Sequence, residues 1–228
     1  MSGAVAAACR SATERRRRRQ SGSRWRRRLA AVATILALAV PLKAFAACSA
    51  PVAVQVLGSG GPDSNDARAS SGYLLWVDGE ARLLVDAGGG VFLRFGEAKA
   101  KFESLDAIAI THLHADHVSD LPALLKSGFF GERQRPLPIV GPSGGSAFPG
   151  MKEFMRALFD PKRGAFRYLS GYLDGRGGMV RADIIEMNAA AATPKAAFGT
   201  DRFKLTAIGV KHGPVPALGY LVEVRGRR

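Results

Sequence analysis

The stretch that decides the fold of this chain is Thr111-His112-Leu113-His114-Ala115-Asp116-His117, which holds three of its four histidines. The fourth, His212, stands just before Gly213-Pro214. Histidines that cap turns or face solvent have no reason to collect at this spacing, whereas a divalent metal ion needs such a set of imidazoles and carboxylates. The pattern therefore predicts a metal site. Because the set contains no cysteine, it favours zinc, with manganese or iron as alternatives.

The residues on either side of this motif indicate how its side chains are presented. Residues 105–110 form a short apolar run with β-branched side chains, which predicts a buried strand. His112 and His114 follow two residues apart, so we expect their side chains to share a face where the strand ends. A helix is predicted over residues 118–129, whose leucines fall on one side, with the last two motif residues at its start. The motif thus offers two neighbouring ligand sets, with which two metal ions can hold the attacking and leaving oxygens of a hydrolysis.

Further segments accompany the motif in a defined order: a strand running into a glycine turn, two apolar strands, a leucine-rich helix and a late histidine segment. They are residues 54–62, 70–77, 83–90, 120–125 and 210–220. With them, the sequence over residues 52–224 resembles the metallo-β-lactamase fold superfamily of metal-dependent hydrolases. Within it, the sequence is most similar to the branch of ribonuclease Z (tRNA 3′ endonuclease) and related phosphodiesterases. The resemblance implies an α+β fold, an αββα sandwich of two face-to-face sheets with helices outside.

The family's functional residues carry over onto matching positions. The resemblance implies that three histidines hold one zinc ion and that an aspartate and a histidine supply half of a second site: His112, His114 and His212 for the first, Asp116 and His117 for the second. Asp116 is also the implied catalytic carboxylate, and the implied reaction is attack of a metal-bound hydroxide on a phosphodiester or related ester. Asp86 is similar to the carboxylate that supports the metal loop from behind. A plain strand-to-turn aspartate before glycines is the alternative interpretation.

The chain also departs from the family pattern, which continues with a bridging aspartate and a further histidine in a C-terminal half. Here the sequence stops at Arg228 and no histidine follows His212. We therefore expect the N-terminal half of the fold, with the second half largely missing: a fragment, a frameshifted product, or a half that needs a partner or a second copy. On this basis we expect one sheet with an exposed apolar face and an unpaired edge, marginal stability, and weak or no activity. A lactonase, arylsulfatase or β-lactamase activity, or a non-catalytic metal-binding remnant, is the alternative function.

The N-terminal 46 residues predict a secretory signal peptide. Arginine clusters at residues 15–19 and 24–28 precede the apolar run 29–40 and the Ala44-Phe45-Ala46 site, after which cleavage is expected. The remaining domain is then residues 47–228, exported to the periplasm or secreted by the Sec route, with the twin-arginine route as the alternative. An uncleaved anchor and a lipid-modified Cys48 are further alternatives.

The strong positive charge resides mostly in this leader. Residues 1–46 hold 11 of the 33 Lys and Arg residues and one of the 19 acidic residues, which leaves 22 basic and 18 acidic residues, a net charge of +4, in the remainder. Without a basic stripe in the body of the chain, a nucleic-acid substrate is disfavoured. We expect a phosphoester or another small anionic substrate, and membrane contact only through the signal segment.

The middle of the chain predicts ordinary elements around the site. Residues 136–145 indicate a strand that ends in a glycine loop, and residues 151–159 an amphipathic helix. Residues 161–178 are expected to form a loop over the mouth of the active site. Residues 179–187 and 202–210 predict two more strands, the second of which delivers His212.

Overall fold

The structure is a computed structural model that describes residues 50–228. The strands and α-helices in this range, numbered in chain order, are β1 (Val52–Gly58), β2 (Gly72–Val77), β3 (Glu80–Val85), α1 (Val91–Glu97), β4 (Ala107–Ala109), α2 (Ala115–Val118), α3 (Leu121–Gly128), β5 (Leu137–Pro142), α4 (Met151–Phe159), α5 (Gly171–Asp174), β6 (Ala182–Met187), β7 (Lys195–Gly199), β8 (Lys204–Val210) and β9 (Ala217–Glu223). Within residues 50–228, no helix has both the length and the apolar content needed to cross a membrane. The predicted signal peptide lies outside the described residues.

A six-stranded mixed sheet forms the centre of the molecule, in the order β1-β2-β3-β4-β5-β6. The first three strands are antiparallel, and β3 to β6 run parallel. The β2–β3 hairpin closes through Asp78-Gly79, both with positive φ, the backbone that a two-residue hairpin turn requires. The parallel strands are joined by helices, whose buried side chains Phe95, Leu124 and Met155 belong to the core on the outer face of the sheet.

A second, three-stranded antiparallel sheet of β7, β8 and β9 packs on the inner face of the first. The expectation that this chain supplies only one of two sheets is therefore wrong. Alternate residues of the small sheet are apolar, so one of its faces can be buried against the large sheet. Phe203 and Leu205 from the small sheet join Leu75, Leu83 and Val140 from the large one in a common core. The result is a mixed α/β fold with two packed sheets.

Part of the inner face stays uncovered at the edge strand β1. Val54 is 66% exposed and Val56 57% exposed, although they lie on the same face of β1 as Val52, which packs against the inner core. Strands β7 and β9 are the two outer strands of the small sheet, and among residues 50–228 no strand pairs with the free side of either. Exposed apolar surface and an open edge, as expected from the sequence, are thus present here, and further exposed apolar side chains lie on and near the outer helices, for example Leu93 in α1 and Phe130 after α3.

A buried carboxylate links the two sheets at the end of β4 opposite the histidine motif. Asp106, immediately before β4, is fully buried. Arg135 Nη2, from the segment before β5, lies 2.9 Å from its Oδ1, and Arg202 Nη1, from the turn before β8, lies 3.5 Å from its Oδ2. Neither arginine is aligned as a hydrogen-bond donor to the carboxylate, so the contacts are charge pairing. The single negative charge of Asp106 is thereby shared between two arginines, one from the segment before β5 of the large sheet and one from the turn before β8 of the small sheet.

The helix predicted over residues 118–129 is observed over Leu121–Gly128, and Val118 instead ends a separate short helix, α2. Helix α2 ends at Val118 and α3 begins at Leu121, with Asp120 between them. Pro122 explains the break, because proline has no N–H to donate to Val118 and is accommodated in the first turn of a new helix. The leucines of α3 are buried as the apolar pattern predicts.

The segment 161–178 does not cover the site, and that prediction is wrong. It contains a 3₁₀ turn at Arg167–Leu169 and helix α5. Leu169 and Tyr172 are fully buried in the outer core, and the Tyr172 hydroxyl donates to the carbonyl of Leu125 at 2.5 Å. Its apolar side chains therefore anchor it to the outer helices rather than to the mouth of the site.

Candidate metal centre

The carboxyl ends of two adjacent parallel strands bring the candidate site together. Asp86 follows β3 and His112 follows β4, and neighbouring parallel strands end at the same edge of a sheet. The small sheet docks there as well. Leu218 N–H of β9 donates to the carbonyl of Thr111 at 2.9 Å, and the Tyr220 hydroxyl donates to the carbonyl of Ile110 at 2.8 Å. These contacts hold the histidine motif against the loop that follows β8.

Three histidine side chains converge at this edge: His112, His114 and His212. His212 Nε2 lies 3.4 Å from His114 Nδ1, and the ligand atoms of all three lie within 4.8 Å of one another. Two nitrogens bound to one tetrahedral zinc at 2.0–2.1 Å would be about 3.3–3.4 Å apart. The pair His114–His212 already has that spacing, and a ring nitrogen of His112 lies within 4.8 Å of both. The donor set and its geometry therefore fit a divalent metal ion.

A second pair of donors lies beside the first three. Asp116 Oδ2 is 3.4 Å from His117 Nε2, again a separation that two ligands of one ion can have. His112 and His117 are close neighbours, with ring centroids 3.9 Å apart. Together with His212, the motif thus presents one group of three donors and one group of two, and its own four residues divide into the two sets that the spacing predicts. Coordination of a metal by these five side chains stays a prediction.

Asp86 is the centre of a buried hydrogen-bond network behind these rings. It is 1% exposed and has a positive φ of 61°, which aspartate tolerates better than most residues. Its carboxylate accepts the backbone N–H of Thr111 at 2.8 Å, the Thr111 hydroxyl at 2.9 Å, the Ser71 hydroxyl at 3.1 Å and His117 Nδ1–H at 2.7 Å. An aspartate that only ends a strand before a turn does not need four donors. Four donors are the arrangement expected of a carboxylate that orients a metal-binding loop.

Burial and charge set the protonation of two of the rings. Burial, together with the neighbouring histidines, lowers the pKa of His112 to about 4, so this ring is neutral at pH 7 and has a lone pair to offer. For His117, burial acts to lower the pKa, but the hydrogen bond and charge of Asp86 and the charge of Asp116 outweigh it and raise the pKa above its usual value. The two halves of the site are therefore electrostatically different.

An open cavity of about 730 Å³ lies over these side chains. The histidines and Asp116 form its floor, and Pro62, Ser70 and Ser119 contribute to its wall. Phe148 makes an edge contact with His114, with the ring centroids 5.8 Å apart. The cavity is large enough for a small ester to approach the three converging nitrogens.

Sequence reasoning missed two hydroxyl residues of this site. Thr111 was recognised only as part of the motif, and Ser71 only as part of a strand, yet both donate to Asp86. A signal existed for Thr111, because a polar residue between a fully apolar strand and the first ligand needs a buried partner. Ser71 gave no such signal, since its contact depends on the packing of β2 beside β3.

Gly88 is expected to be essential for the shape of the metal loop. A Cβ added there would lie 1.9 Å from the carbonyl oxygen of Asp116, whereas one added at Gly89 would meet Ser119 Oγ at 3.4 Å, an ordinary contact. We expect Gly88→Ala to lower the free energy of unfolding by about 1–3 kcal/mol, because the loop must move. Gly89→Ala is the matched control, with a change within about 0.5 kcal/mol. Urea denaturation in the presence of a chelator measures both; equal values for the two variants would contradict the close approach.

Comparison with known protein families gives one partial match. The family described as Anti-Pycsar protein Apyc1 matches residues 52–143, which run from β1 to just beyond β5 and include the histidine motif. His212 lies outside the matched region.

Curated relatives similar to this chain are ribonucleases Z. The chain is 30% identical over 178 residues to ribonuclease Z of Mycobacterium bovis (strain BCG / Pasteur 1173P2), an alignment that covers 76% of this chain and 59% of that protein. It is 38% identical over 105 residues to ribonuclease Z of Alkaliphilus oremlandii, over 46% of this chain and 31% of that protein. The chain thus spans about 60% of the length of the mycobacterial relatives it matches.

Solved structures with the same fold include human tRNase Z, short form, with a TM-score of 0.56 and 23% identity over 76% of this chain and 65% of that one. The metallo-β-lactamase fold protein YhfI from Bacillus subtilis gives a TM-score of 0.51 and 22% identity, over 75% of this chain and 57% of that one. At this level of identity the likeness establishes the fold.

Proposed function

We propose that this chain, which belongs to the metallo-β-lactamase fold superfamily and to its ribonuclease Z-like branch, is a metal-dependent hydrolase of phosphodiesters or related esters. The single observation that carries the proposal is the convergence of His112, His114 and His212 at the floor of an open cavity. A divalent ion at these nitrogens supplies Lewis acidity, which acidifies water and polarises an ester. Zinc suits a site of neutral imidazoles, and manganese or iron would be accepted as well.

The side chains of the floor have separate roles in this proposal. His112, His114 and His212 hold the ion, and the position of His212 on the loop after β8 makes the site depend on both sheets. Asp116 is the carboxylate of the cavity, so it is placed to accept a proton from water at the reacting position. His117, oriented by Asp86, presents Nε2 beside Asp116 and completes the half-site for a second ion.

Charge supports a small anionic substrate over a polynucleotide. Residues 47–228 carry a net charge of only +4. A charge this small does not indicate the long basic surface with which proteins bind a polynucleotide. The basic leader further supports a proposal of export to the periplasm or beyond. A phosphoester of small-molecule size would fit the cavity of about 730 Å³.

A second candidate is a metal-binding protein without hydrolytic activity. The Asp116–His117 pair favours it, because two protein ligands hold an ion weakly and three are usual in catalytic zinc sites. This candidate predicts one tightly bound ion per chain and no turnover of any ester.

Hydrolysis of bis-(p-nitrophenyl) phosphate by the purified chain, with zinc or manganese added, tests the proposal. We expect slow turnover that depends on metal and falls to background in His114→Ala. Metal analysis of the same samples should show bound metal in the parent and a loss in the variant. Metal binding without turnover would favour the non-catalytic candidate, and turnover that persists in His114→Ala would overturn the proposed site.

A further inference from the structure

The hydroxyl of Thr111 lies where both halves of the site meet. Its Oγ1 is 2.9 Å from Asp86 Oδ2, 3.1 Å from His112 Nδ1 and 3.3 Å from His117 Nδ1. Among the described hydrogen bonds, those of Thr111 are the ones by which a single side chain joins a ring of the three-histidine set to the buried carboxylate. The contacts of this one hydroxyl therefore determine how the first histidine is presented.

Counting protons shows which atom donates in each contact. A carboxylate has only acceptors, so the single proton of the Thr111 hydroxyl is directed to Asp86. His117 Nδ1–H also donates to Asp86 at 2.7 Å, a shorter distance than the 3.3 Å between the same nitrogen and Thr111 Oγ1. Because its proton is directed to Asp86, the Thr111 oxygen can only accept in its 3.1 Å contact with His112 Nδ1. The proton of this hydrogen bond must therefore come from His112 Nδ1. His112 is thereby fixed with its proton on Nδ1 and a bare Nε2.

We propose that Thr111 is a positioning residue for metal binding: held by Asp86, its hydroxyl accepts Nδ1–H of His112 and so presents the bare Nε2 of this ring for coordination. The proposal rests on the proposed metal role of the three histidines. It adds that one carboxylate orients both halves of the site, His117 directly and His112 through Thr111. A metal-binding histidine commonly depends on such a partner for its tautomer and orientation.

The substitution pair Thr111→Val and Thr111→Ser separates the hydroxyl from the shape of the side chain. Valine keeps the branched shape and removes the hydroxyl, whereas serine keeps the hydroxyl and removes a methyl group. We expect Thr111→Val to weaken zinc binding about 10–100-fold, because His112 loses the partner that fixes its tautomer, and Thr111→Ser to stay within about threefold of the parent. Ser71→Ala is the matched control, since Ser71 donates to the same carboxylate and touches no histidine.

Affinity is measured on the full chain by competition with a chromophoric zinc chelator, so no hydrolytic activity is needed. A Thr111→Val variant that binds zinc as tightly as the parent would overturn the proposal, as would a serine variant as weak as the valine variant. Equal losses in Thr111→Val and Ser71→Ala would also overturn it, because they would indicate general loosening around Asp86.

The tautomer itself can be read without any variant. The chain has only four histidines, so the ring nitrogens can be assigned in a long-range ¹H–¹⁵N spectrum of the metal-free protein. We expect His112 to carry its proton on Nδ1 in the parent and in Thr111→Ser, and to lose this preference in Thr111→Val. A parent spectrum with the His112 proton on Nε2 would refute the inference even if the metal-site proposal holds. The reverse outcome, the expected tautomer without metal binding, would instead refute the proposed function.

Discussion

Zinc at a hundred times its dissociation constant is expected to raise the melting temperature of this protein by about 5–10 °C, and His212→Ala is expected to abolish most of this rise. Ligand at that excess stabilises the folded state by about 2.7 kcal/mol. In a domain of this size, each kcal/mol shifts the melting temperature by about 2–4 °C. The effect requires His212 because this residue brings the small sheet into the site, whereas His112 and His114 belong to the large one. Thermal melts with zinc and with chelator measure the shift.

Lys211→Ala is the matched control for this experiment. Lys211 is the exposed neighbour of His212 on the same loop and has no part in the candidate site. We expect its zinc-dependent shift to equal that of the parent. If His212→Ala kept the full shift, the ion would bind elsewhere, and the proposed link between the two sheets would be wrong.

Asp86→Asn is expected to cost about 3 kcal/mol in the free energy of unfolding, even without metal. The carboxylate is buried and accepts from Ser71, Thr111 and His117, so an amide would place its NH₂ group against donors and leave buried partners unsatisfied. Asparagine tolerates the left-handed backbone of this position, so strain does not explain the loss. Chemical denaturation in the presence of a chelator is the measurement.

Asp78→Asn provides the same substitution on the same kind of backbone at the surface. Asp78 has a positive φ of 52°, its side chain is 59% exposed, and its partner is Arg225. We expect a change within about 0.5 kcal/mol, because exposed ion pairs contribute little. If the two variants lost similar stability, the network around Asp86 would not have the strength that its contacts indicate.

The sequence predicted the site better than it predicted the packing around it. The spacing of the histidine motif and the buried strand before it are local patterns, and the structure has β4 and the motif where these patterns place them. The convergence of His212 with the motif was expected from the resemblance to a family, because no local pattern links residues so distant in the chain.

One of the predictions that failed had a local signal in the sequence, whereas the others depended on tertiary contacts. The helix break at Asp120 has a local signal in Pro122, but residues 161–178 gave none, since glycines and arginines suggest an open loop while Leu169 and Tyr172 decide its position by burial. Strand β7 was not predicted, and the small sheet covers the large one only because β8 and β9 pair with each other and fold back. Which sheet a strand joins is a matter of topology, which amphipathic alternation alone does not encode.

The placement of Asp106 assigns different tasks to the two ends of β4. This strand has three residues, about 10 Å in length, with Asp106 and its arginines before it and the histidine motif after it. The first end joins the two sheets through charges that the chain carries itself, whereas under the proposed function the other end would join them only while the histidines hold an ion. Under that proposal, an ion could leave the histidine end of β4 while the charge contacts at the opposite end still hold the two sheets together.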